Sequence, residues 1–345
     1  MAGPLILFVT DAGPQVGGGH VMRSLTLAGA LQAGGAACAF VAPPSVAALL
    51  DAFAPEMDRW PAATTEPDAL LRAIDPPFDA IVFDHYGLSE PDHGVMAQGR
   101  PTLVIDDLAD RPLGGDIVLD SGPARRAQDY EGLLSGHARL LLGPQYAPVR
   151  PEFAALRETA LGWRGEPVQR FLVSMGLSDV GAITSRVAER LRPRAGEAGI
   201  DIVLGEAAPS LPGLTKVARR DPRLAIHVDT PHMARLTAEA DIGIGAAGSS
   251  SWERCTLGLP SLLVVVAENQ RAAAAALAEA GAALVVDAEA ADFDTAFDRA
   301  LLKLLNDAEA RRELARRSAE LCDGQGAGRV AEALLLLLAA RRAQG

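Results

Sequence analysis

Residues 4–28 read PLILFVTDAGPQVGGGHVMRSLTLA, and this stretch decides the fold of the first half of the chain. Its opening apolar run, residues 4–10, predicts a buried strand. The three glycines at 17–19 predict a turn, and the apolar spacing from Val21 onward predicts a helix. Because glycine has no Cβ, a ligand could approach the backbone amides of this turn closely. The stretch therefore predicts one strand, turn and helix unit with open backbone in the turn.

His20 follows the three glycines and is predicted at, or just inside, the start of the helix. The positive end of a helix dipole disfavours an imidazolium, so we expect a neutral imidazole that can accept a proton near pH 7. His20 is therefore a candidate general base; the alternative is a hydrogen-bonded cap or a packing residue. The turn fits neither common phosphate loop, because no Gly-Lys-Ser/Thr is present and Gly17, Gly19 and Arg23 do not complete G-x-G-x-x-G.

Composition and charge restrict the class of protein. The 345 residues leave room for two domains of about 150 residues each. A net charge of -12 argues against nucleic acid or an acidic membrane surface as the main partner. Three widely separated cysteines favour a reducing cytoplasm over a disulfide framework or a metal site. The first apolar run lacks a basic flank, and the run at 335–340 is far short of the ~20 residues that cross a bilayer, so no membrane insertion is expected.

Short apolar runs alternate with helical segments along both halves, which predicts an α/β protein with two doubly wound parallel sheets. Further strands are predicted at 37–42, 79–84, 101–105, 116–120 and 139–142, then at 170–175, 200–205, 224–228, 242–245, 261–266 and 283–286. We expect a first Rossmann-like domain over 1–150, a connector over 151–167 and a second Rossmann-like domain over 168–345, with the last helix able to pack back on the first domain. Ligands of such open sheets bind beyond the carboxyl ends of the strands, so we expect both sheets to border a common cleft.

The densest signal of the second half is GAAGSSSWERC at residues 245–255. It predicts a strand that ends in small residues and a helix that begins with serines, which could cap the helix while free amides bind a diphosphate. Glu253 could accept two hydrogen bonds from a ribose diol; the alternative is an ordinary N-capped helix. The turn at 175–179 is a second place where phosphate could approach, and the amides of Asn269 and Gln270 could orient a sugar or base, unless they are only solvated.

Asp84, Tyr86, Asp106 and Asp107 follow predicted strands of the first half, at the same sheet edge as His20. The carboxylates could orient the imidazole or bind sugar hydroxyls, and Tyr86 could stack on the sugar or bind it. Paired aspartates also suit a divalent metal. Without a third ligand nearby, a structural turn with an Asp107 to Arg111 ion pair is the better interpretation, so neither a metal nor a cofactor is expected.

Together these motifs resemble the PseG family, the UDP-sugar hydrolases of pseudaminic acid biosynthesis and hence of flagellin glycosylation. The matching blocks are in family order over roughly residues 5–285. They lie at 17–28, 84–86, 105–111, 142–146, 150–153, 248–255, 257–261 and 268–270.

The resemblance implies a GT-B architecture similar to MurG and a metal-free attack of water on UDP-2,4-diacetamido-2,4,6-trideoxy-β-L-altrose, with UDP as product. It implies that His20 is the base, that Tyr86 and Asn269 position sugar and water, and that Glu253 holds the ribose. The other residues implied to bind substrate are Gly17, Gly19, Arg23, Asp84, Asp106, Gly176, Gly248, Ser249, Ser250 and Gln270. Stereochemical inversion is expected, because one base on the face opposite UDP is sufficient.

One departure from the family pattern is Leu177, which stands where the family usually has glycine. Leucine restricts the backbone and adds bulk beside the expected phosphate or uracil site, which leaves a neighbouring UDP-sugar open as the substrate. An inverting UDP-sugar glycosyltransferase of the MurG type is the alternative enzyme, and a UDP-sugar binding protein is the alternative without catalysis. The sequence does not define the oligomeric state.

Overall fold

The computed structural model describes residues 3–13, 16–74, 77–134, 136, 138–164 and 167–344. The chain divides into two units. The first unit comprises Met1–Val149 and Gln325–Gly345, and the second comprises Arg150–Gly324.

In the first unit, the described residues form a parallel sheet of seven strands in the order β3-β2-β1-β4-β5-β6-β7. The strands are β1 (Leu5–Thr10), β2 (Ala37–Ala42), β3 (Asp58–Pro61), β4 (Ala80–Asp84), β5 (Thr102–Ile105), β6 (Ile117–Asp120) and β7 (Arg139–Leu142). The helices between them are α1 (Gly19–Ala33), α2 (Pro44–Phe53), α3 (Pro67–Ala73) and α4 (Glu90–Ala97). The sequence predicted all of these strands except β3, a partly exposed edge strand without an apolar run.

β1 lies at the centre of this sheet and explains the continuous apolar run that opens the chain. Ile6 and Phe8 pack into one hydrophobic cluster, and Leu7 and Val9 pack into another. Because successive side chains of a strand point to opposite faces, a strand covered on both faces needs apolar residues at every position.

In the second unit, the described residues form a parallel sheet of six strands in the order β10-β9-β8-β11-β12-β13. The strands are β8 (Arg170–Ser174), β9 (Gly199–Leu204), β10 (Leu224–Val228), β11 (Ile242–Ala246), β12 (Ser261–Val265) and β13 (Leu284–Asp287). The helices are α5 (Pro151–Trp163), α6 (Ile183–Leu191), α7 (Leu211–Ala218), α8 (Met233–Glu239), α9 (Ser250–Thr256), α10 (Arg271–Glu279), α11 (Phe293–Asn306) and α12 (Ala308–Leu321). All of its strands were predicted.

Most of the predicted connector is the helix α5, and it belongs to the second unit. Arg157 on this helix donates hydrogen bonds to the carbonyl oxygens of Thr256, Ala319 and Cys322. These bonds satisfy carbonyl groups at the ends of α9 and α12, which have no partner inside their own helices. Residues 165 and 166 of the predicted connector lie outside the described residues.

The last helix, α13 (Gly326–Gln344), packs in the first unit. Val330, Leu334 and Leu338 recur at four-residue spacing and join the hydrophobic cluster that contains Leu27 and Leu31 of α1. The second unit therefore ends at Gly324 and does not run to residue 345, because the apolar face of α13 is covered by α1. In the part of the chain that is described, no helix has the length and apolar character needed to span a membrane.

Candidate active site

The first candidate region lies where β1 and β4 end side by side. Thr10 pairs with Asp84 in the sheet, and the amide of Asp11 donates to the carbonyl oxygen of Asp84 at 3.0 Å. The strand order reverses between these two strands, which makes this edge the topological switch point where α/β sheets bind ligands. After β1 the chain turns at Gly17, whose φ of 78° is readily adopted by glycine alone, and α1 then begins at Gly19.

His20 is the second residue of α1 and is 5% exposed. Its Nδ1 atom lies 3.4 Å from Asp84 Oδ1 and makes no hydrogen bond to any described residue. The imidazole meets the Tyr86 ring edge-on, with 4.5 Å between the ring centres. Burial lowers the pKa of His20, although the Asp84 carboxylate opposes the shift. The lowered pKa agrees with the expected neutral imidazole, and burial is its largest cause.

Arg23 lies one turn after His20 and joins two carboxylates. Its Nε and Nη2 atoms donate to the two oxygens of Asp84 at 2.7 and 2.6 Å. Its Nη1 atom donates to Asp107 Oδ2 at 2.6 Å, and the Tyr86 hydroxyl donates to the same oxygen at 2.7 Å. Burial favours the neutral acid, yet the Arg23 guanidinium holds the pKa of Asp107 below its usual range. The two aspartates and Tyr86 are thus fixed around His20 by one arginine.

The predicted ion pair between Asp107 and Arg111 is wrong. Arg111 Nη1 donates to Asp106 at 2.8 Å and to Asp110 at 3.2 Å, whereas Asp107 pairs with Arg23. The turn after β5 explains why Arg111 pairs with Asp106 and not with Asp107. Asp106 Oδ2 accepts hydrogen bonds from the backbone amides of residues 108 and 109, so this carboxylate points into its own turn. The carboxylate of Asp107 faces α1, where it pairs with Arg23.

Asp84 and Asp106 are fully buried, and both oxygens of each accept hydrogen bonds from the protein. In this arrangement they support the loops of the site and present no free oxygen to a ligand. Tyr130 adds to the support, because its hydroxyl lies 2.9 Å from Asp106 Oδ2 and 2.8 Å from Asp120 Oδ2.

The second candidate region follows β11, where α9 begins at Ser250. The predicted serine cap is wrong, because no side chain caps this helix. Instead, Arg254 donates to the hydroxyls of Ser250 and Ser251 at 3.2 and 3.1 Å and to the carbonyl oxygen of Ala246 at 2.7 Å. Serine hydroxyls that accept from a guanidinium remain able to donate outward.

Arg254 is 4% exposed and forms no ion pair with any described residue. Its Nε atom is buried without a hydrogen-bond partner in the described chain. Burial lowers the pKa of Arg254 to about 10, so the side chain stays charged at neutral pH. The loop from Gly248 to Ser250 thus adjoins a buried positive charge that forms no ion pair with a described residue, although the neighbouring Glu253 carboxylate acts on it.

Glu253 is paired within the second unit, since Arg150 Nε donates to its Oε1 atom at 2.8 Å. Burial opposes the charge on Arg150, and the Glu253 carboxylate raises the pKa of Arg150. No described residue donates to Oε2 of Glu253, so one oxygen remains available as an acceptor. With Oε1 occupied by Arg150, the Glu253 carboxylate can accept one hydrogen bond from a ribose diol more readily than the two hydrogen bonds that were expected.

The remaining predicted residues lie on two loops of the second unit. Gly176 has a φ of +92°, which requires glycine, and the following Leu177 carbonyl accepts the amide of Gly205 at 3.2 Å. Asn269 is exposed in a short 3₁₀ turn over Glu268–Gln270. Gln270 uses its Oε1 atom to accept the amide of Val266, and its Nε2 atom lies near Gly248. The structure thus brings Gln270 beside the loop from Gly248 to Ser250.

No cluster of three or more histidine, cysteine or acidic side chains suited to a metal is found among the described residues.

Residues 216–330 match the family model of the glycosyltransferase family 28 C-terminal domain. Over 282 residues the chain is 27% identical to the UDP-2,4-diacetamido-2,4,6-trideoxy-beta-L-altropyranose hydrolase of Campylobacter jejuni, which spans 80% of this chain and 97% of that protein. The resemblance to the PseG family is confirmed. The chain is a nucleotide-sugar enzyme, as its relative and its family 28 domain indicate.

Further similarities concern another relative in sequence and the fold. The chain is 28% identical to a spore coat polysaccharide biosynthesis protein of Bacillus subtilis over 199 residues, 57% of this chain and 58% of that protein. The structure of Acinetobacter baumannii MurG matches with a TM-score of 0.65 at 18% identity, covering 96% of this chain and 98% of MurG. A spinosyn rhamnosyltransferase matches with a TM-score of 0.66 at 17% identity, covering 95% and 99%. The predicted GT-B fold class is confirmed.

Two residues of this PseG-like chain belong to the candidate regions without having been predicted in them: Arg150 and Arg254. Asp107 was named among the carboxylates that could orient the imidazole, with a structural ion pair as the preferred interpretation, and Arg150 was noted only as part of a matching block. Arg254 carried a usable signal, because it lies four residues after Ser250 on the same face of a helix.

Proposed function

We propose that this enzyme hydrolyses a UDP-sugar at the anomeric carbon, with His20 as the general base. The observation that carries the proposal is a buried, neutral imidazole whose Nδ1 atom has no hydrogen-bond partner among the described residues, beside carboxylates that would stabilise its protonated form. A relative that is a UDP-diacetamido-sugar hydrolase supports it.

In the proposed step, His20 takes a proton from water while the water oxygen forms a bond to the anomeric carbon. The bond from that carbon to the β-phosphate oxygen breaks, and UDP leaves with the electron pair. Attack opposite the leaving group inverts the configuration, and UDP needs stabilisation of its charge more than it needs a proton. No metal or cofactor takes part. Tyr86 and Asn269 position the sugar and the water.

The second unit would bind the nucleotide. The amides and hydroxyls of Ser249 and Ser250 suit a diphosphate, and the charge of Arg254 next to them, which forms no ion pair with a described residue, favours an anion. Glu253 would accept a ribose hydroxyl at Oε2. Further contacts are proposed for Gly17, Gly19, Gly176, Gly248 and Gln270, while Arg23, Asp84 and Asp106 would act from beneath the site.

The finer assignment follows the relative's substrate. We propose UDP-2,4-diacetamido-2,4,6-trideoxy-β-L-altrose or a closely related UDP-sugar, a place in pseudaminic acid biosynthesis and flagellin glycosylation, and action in the cytoplasm. Leu177 is the reason for including related sugars, because its side chain lies on the loop after β8 where the family usually has glycine.

The test is proton NMR of the enzyme with a panel of UDP-diacetamido sugars, reading UDP release and the anomer first formed. We expect the inverted anomer, and a loss of at least about 100-fold in kcat for His20→Ala. His232→Ala is the matched control, because His232 is an exposed histidine of the second unit. No UDP from any sugar, or full turnover by His20→Ala, would refute the proposal.

An inverting UDP-sugar glycosyltransferase is the second candidate, favoured by the match to the family 28 domain. In that reaction His20 would deprotonate an acceptor hydroxyl in place of water. UDP release that requires an added acceptor would select the transferase. Release at the same rate in buffer alone selects the hydrolase.

A further inference from the structure

The charges that face His20 do not balance while the imidazole is neutral. Asp84 at the end of β4, Asp107 after β5 and Asp11 after β1 supply negative charge, and Arg23 on α1 supplies positive charge. Even without Asp11, the carboxylates outnumber the arginine by one. Proton uptake by His20 would add the positive charge that is missing. The surroundings therefore favour the imidazolium, the form that His20 takes after it has acted as a general base.

Asp107 differs from Asp84 in what it holds. Asp84 has both oxygens bound to Arg23, with Ser24 as a further donor. Asp107 uses one oxygen, Oδ2, to accept both from Arg23 and from the Tyr86 hydroxyl. The same carboxylate therefore sets the direction of the phenol that meets His20 edge-on.

We propose that Asp107 is a positioning residue of the hydrolysis, which orients Tyr86 against His20 and stabilises the imidazolium that forms when His20 takes the proton of water. The inference rests on the proposed function and adds to it a residue outside the family assignments. It also defines Tyr86. Because the phenolic proton is donated to Asp107, the Tyr86 oxygen faces substrate or water as a hydrogen-bond acceptor.

Two features make Asp107 testable without unfolding the site. Its side chain is 25% exposed, so an amide there is not buried without partners. Arg23 keeps its bidentate bond to Asp84 when Asp107 is neutralised. Asp107→Asn is therefore expected to fold. Asp110→Asn is the matched control, because Asp110 lies on the same loop, is 57% exposed and, among the described residues, forms an ion pair with Arg111 alone.

The first readout needs no substrate. The six histidines of each variant are labelled at Cε1 and titrated by NMR, with His20 assigned through His20→Gln. Since the Asp107 charge raises the pKa of His20, we expect its midpoint to move to lower pH in Asp107→Asn and to stay in place in Asp110→Asn. An unchanged midpoint in Asp107→Asn would overturn the inference.

The second readout is the rate. In Asp107→Asn we expect kcat to fall by about 10- to 100-fold, part of the 10²–10⁴ that acid–base catalysis supplies, with KM within about threefold. The acid limb of kcat/KM should move to lower pH. A His20 with a lower pKa is already unprotonated, and so able to act as the base, at a lower pH. Tyr86→Phe should lower kcat without this shift. A fall in kcat with an unmoved limb would indicate a structural role and overturn the inference.

The two proposals fail separately. If no UDP-sugar is hydrolysed, or if His20→Ala keeps full turnover, the proposed function fails whatever the titration shows. If hydrolysis depends on His20 while Asp107→Asn leaves the His20 midpoint or the acid limb of kcat/KM unchanged, only the role of Asp107 is lost.

Discussion

Replacing Gly245 by alanine should destabilise the second unit by displacing Arg254. A Cβ on Gly245 would lie 2.5 Å from Arg254 Nη1, 2.9 Å from its Cζ and 2.8 Å from the backbone oxygen of Ser174. The last atom belongs to the neighbouring strand β8, which pairs with β11 at this position. Because one side of the clash is backbone, the guanidinium has to move.

The magnitude follows from two contributions. Overpacking a closed site costs about 1–3 kcal/mol. A displaced guanidinium also loses its 2.7 Å bond to the Ala246 carbonyl, and a hydrogen bond to a charged group contributes about 1.5–3 kcal/mol. Reduced freedom of the unfolded chain returns about 0.4–1 kcal/mol for a glycine to alanine change. We expect the free energy of unfolding of the second unit to fall by about 3 kcal/mol.

The assay is hydrogen exchange by mass spectrometry on peptides from β11 and α9, since unfolding of a chain with two units need not be two-state. Gly213→Ala is the matched control. Gly213 lies in α7 with no atom near its Cβ position, and alanine there should stabilise the helix by about 0.5–1 kcal/mol. Calorimetric titration with UDP is the second measurement, and about tenfold weaker binding is expected. Native protection and native UDP affinity in Gly245→Ala would refute this account of Arg254.

Three further predictions concern other ionisable side chains. Asp84→Asn should lower the free energy of unfolding by about 3 kcal/mol in urea denaturation. This is the low end for a broken buried ion pair, because Arg23 still pairs with Asp107. The control Asp51→Asn, at an exposed ion pair, should change the free energy of unfolding little. Burial lowers the pKa of His93 to about 4, so folding stability should fall as pH drops from 6.5 to 4, by about 3 kcal/mol in total, and His93→Asn should lose this part of the pH dependence of urea denaturation. Arg150→Gln should weaken UDP binding about tenfold in calorimetry and not add to the effect of Glu253→Gln, whereas Glu152→Gln, at the weaker 3.7 Å contact, should bind as the unaltered protein does.

The sheets could be predicted because their strands are buried on both faces. A run such as Ile6 to Val9, with a core on each side, leaves an unbroken apolar pattern in the sequence. β3 escaped prediction because an edge strand at Asp58–Pro61 needs no such pattern. α5 escaped because only Phe153 and Ala160 of its residues are buried, which is too few for a clear helical period.

The sequence predicted which residues belong to the candidate site, but not which of them form hydrogen bonds and ion pairs with each other. His20, Asp84 and Asp107 follow strands or turns at one edge of a parallel sheet, so the topology alone brings them together. Which arginine pairs with which aspartate depends on the turn after β5, where Ala109 adopts a φ of 51° and Asp106 folds onto that turn. Local backbone of this kind leaves no periodic signal. The spacing of His20 and Arg23 on one helix face was the available sign that Arg23 belongs to the site.

The two units place an arginine at the same position and give it opposite surroundings. Arg23 is the fifth residue of α1 after the loop from β1, and Arg254 is the fifth residue of α9 after the loop from β11. Arg23 is held by two carboxylates, so the cluster around it has negative charge to spare and suits a group that gains a proton. The hydrogen-bond acceptors of Arg254 are serine hydroxyls and a carbonyl, and no carboxylate pairs with it directly among the described residues, so its charge remains available to an anion. This difference supports the proposed division, with proton transfer in the first unit and diphosphate binding in the second, because a diphosphate beside the Arg23 cluster would meet excess negative charge.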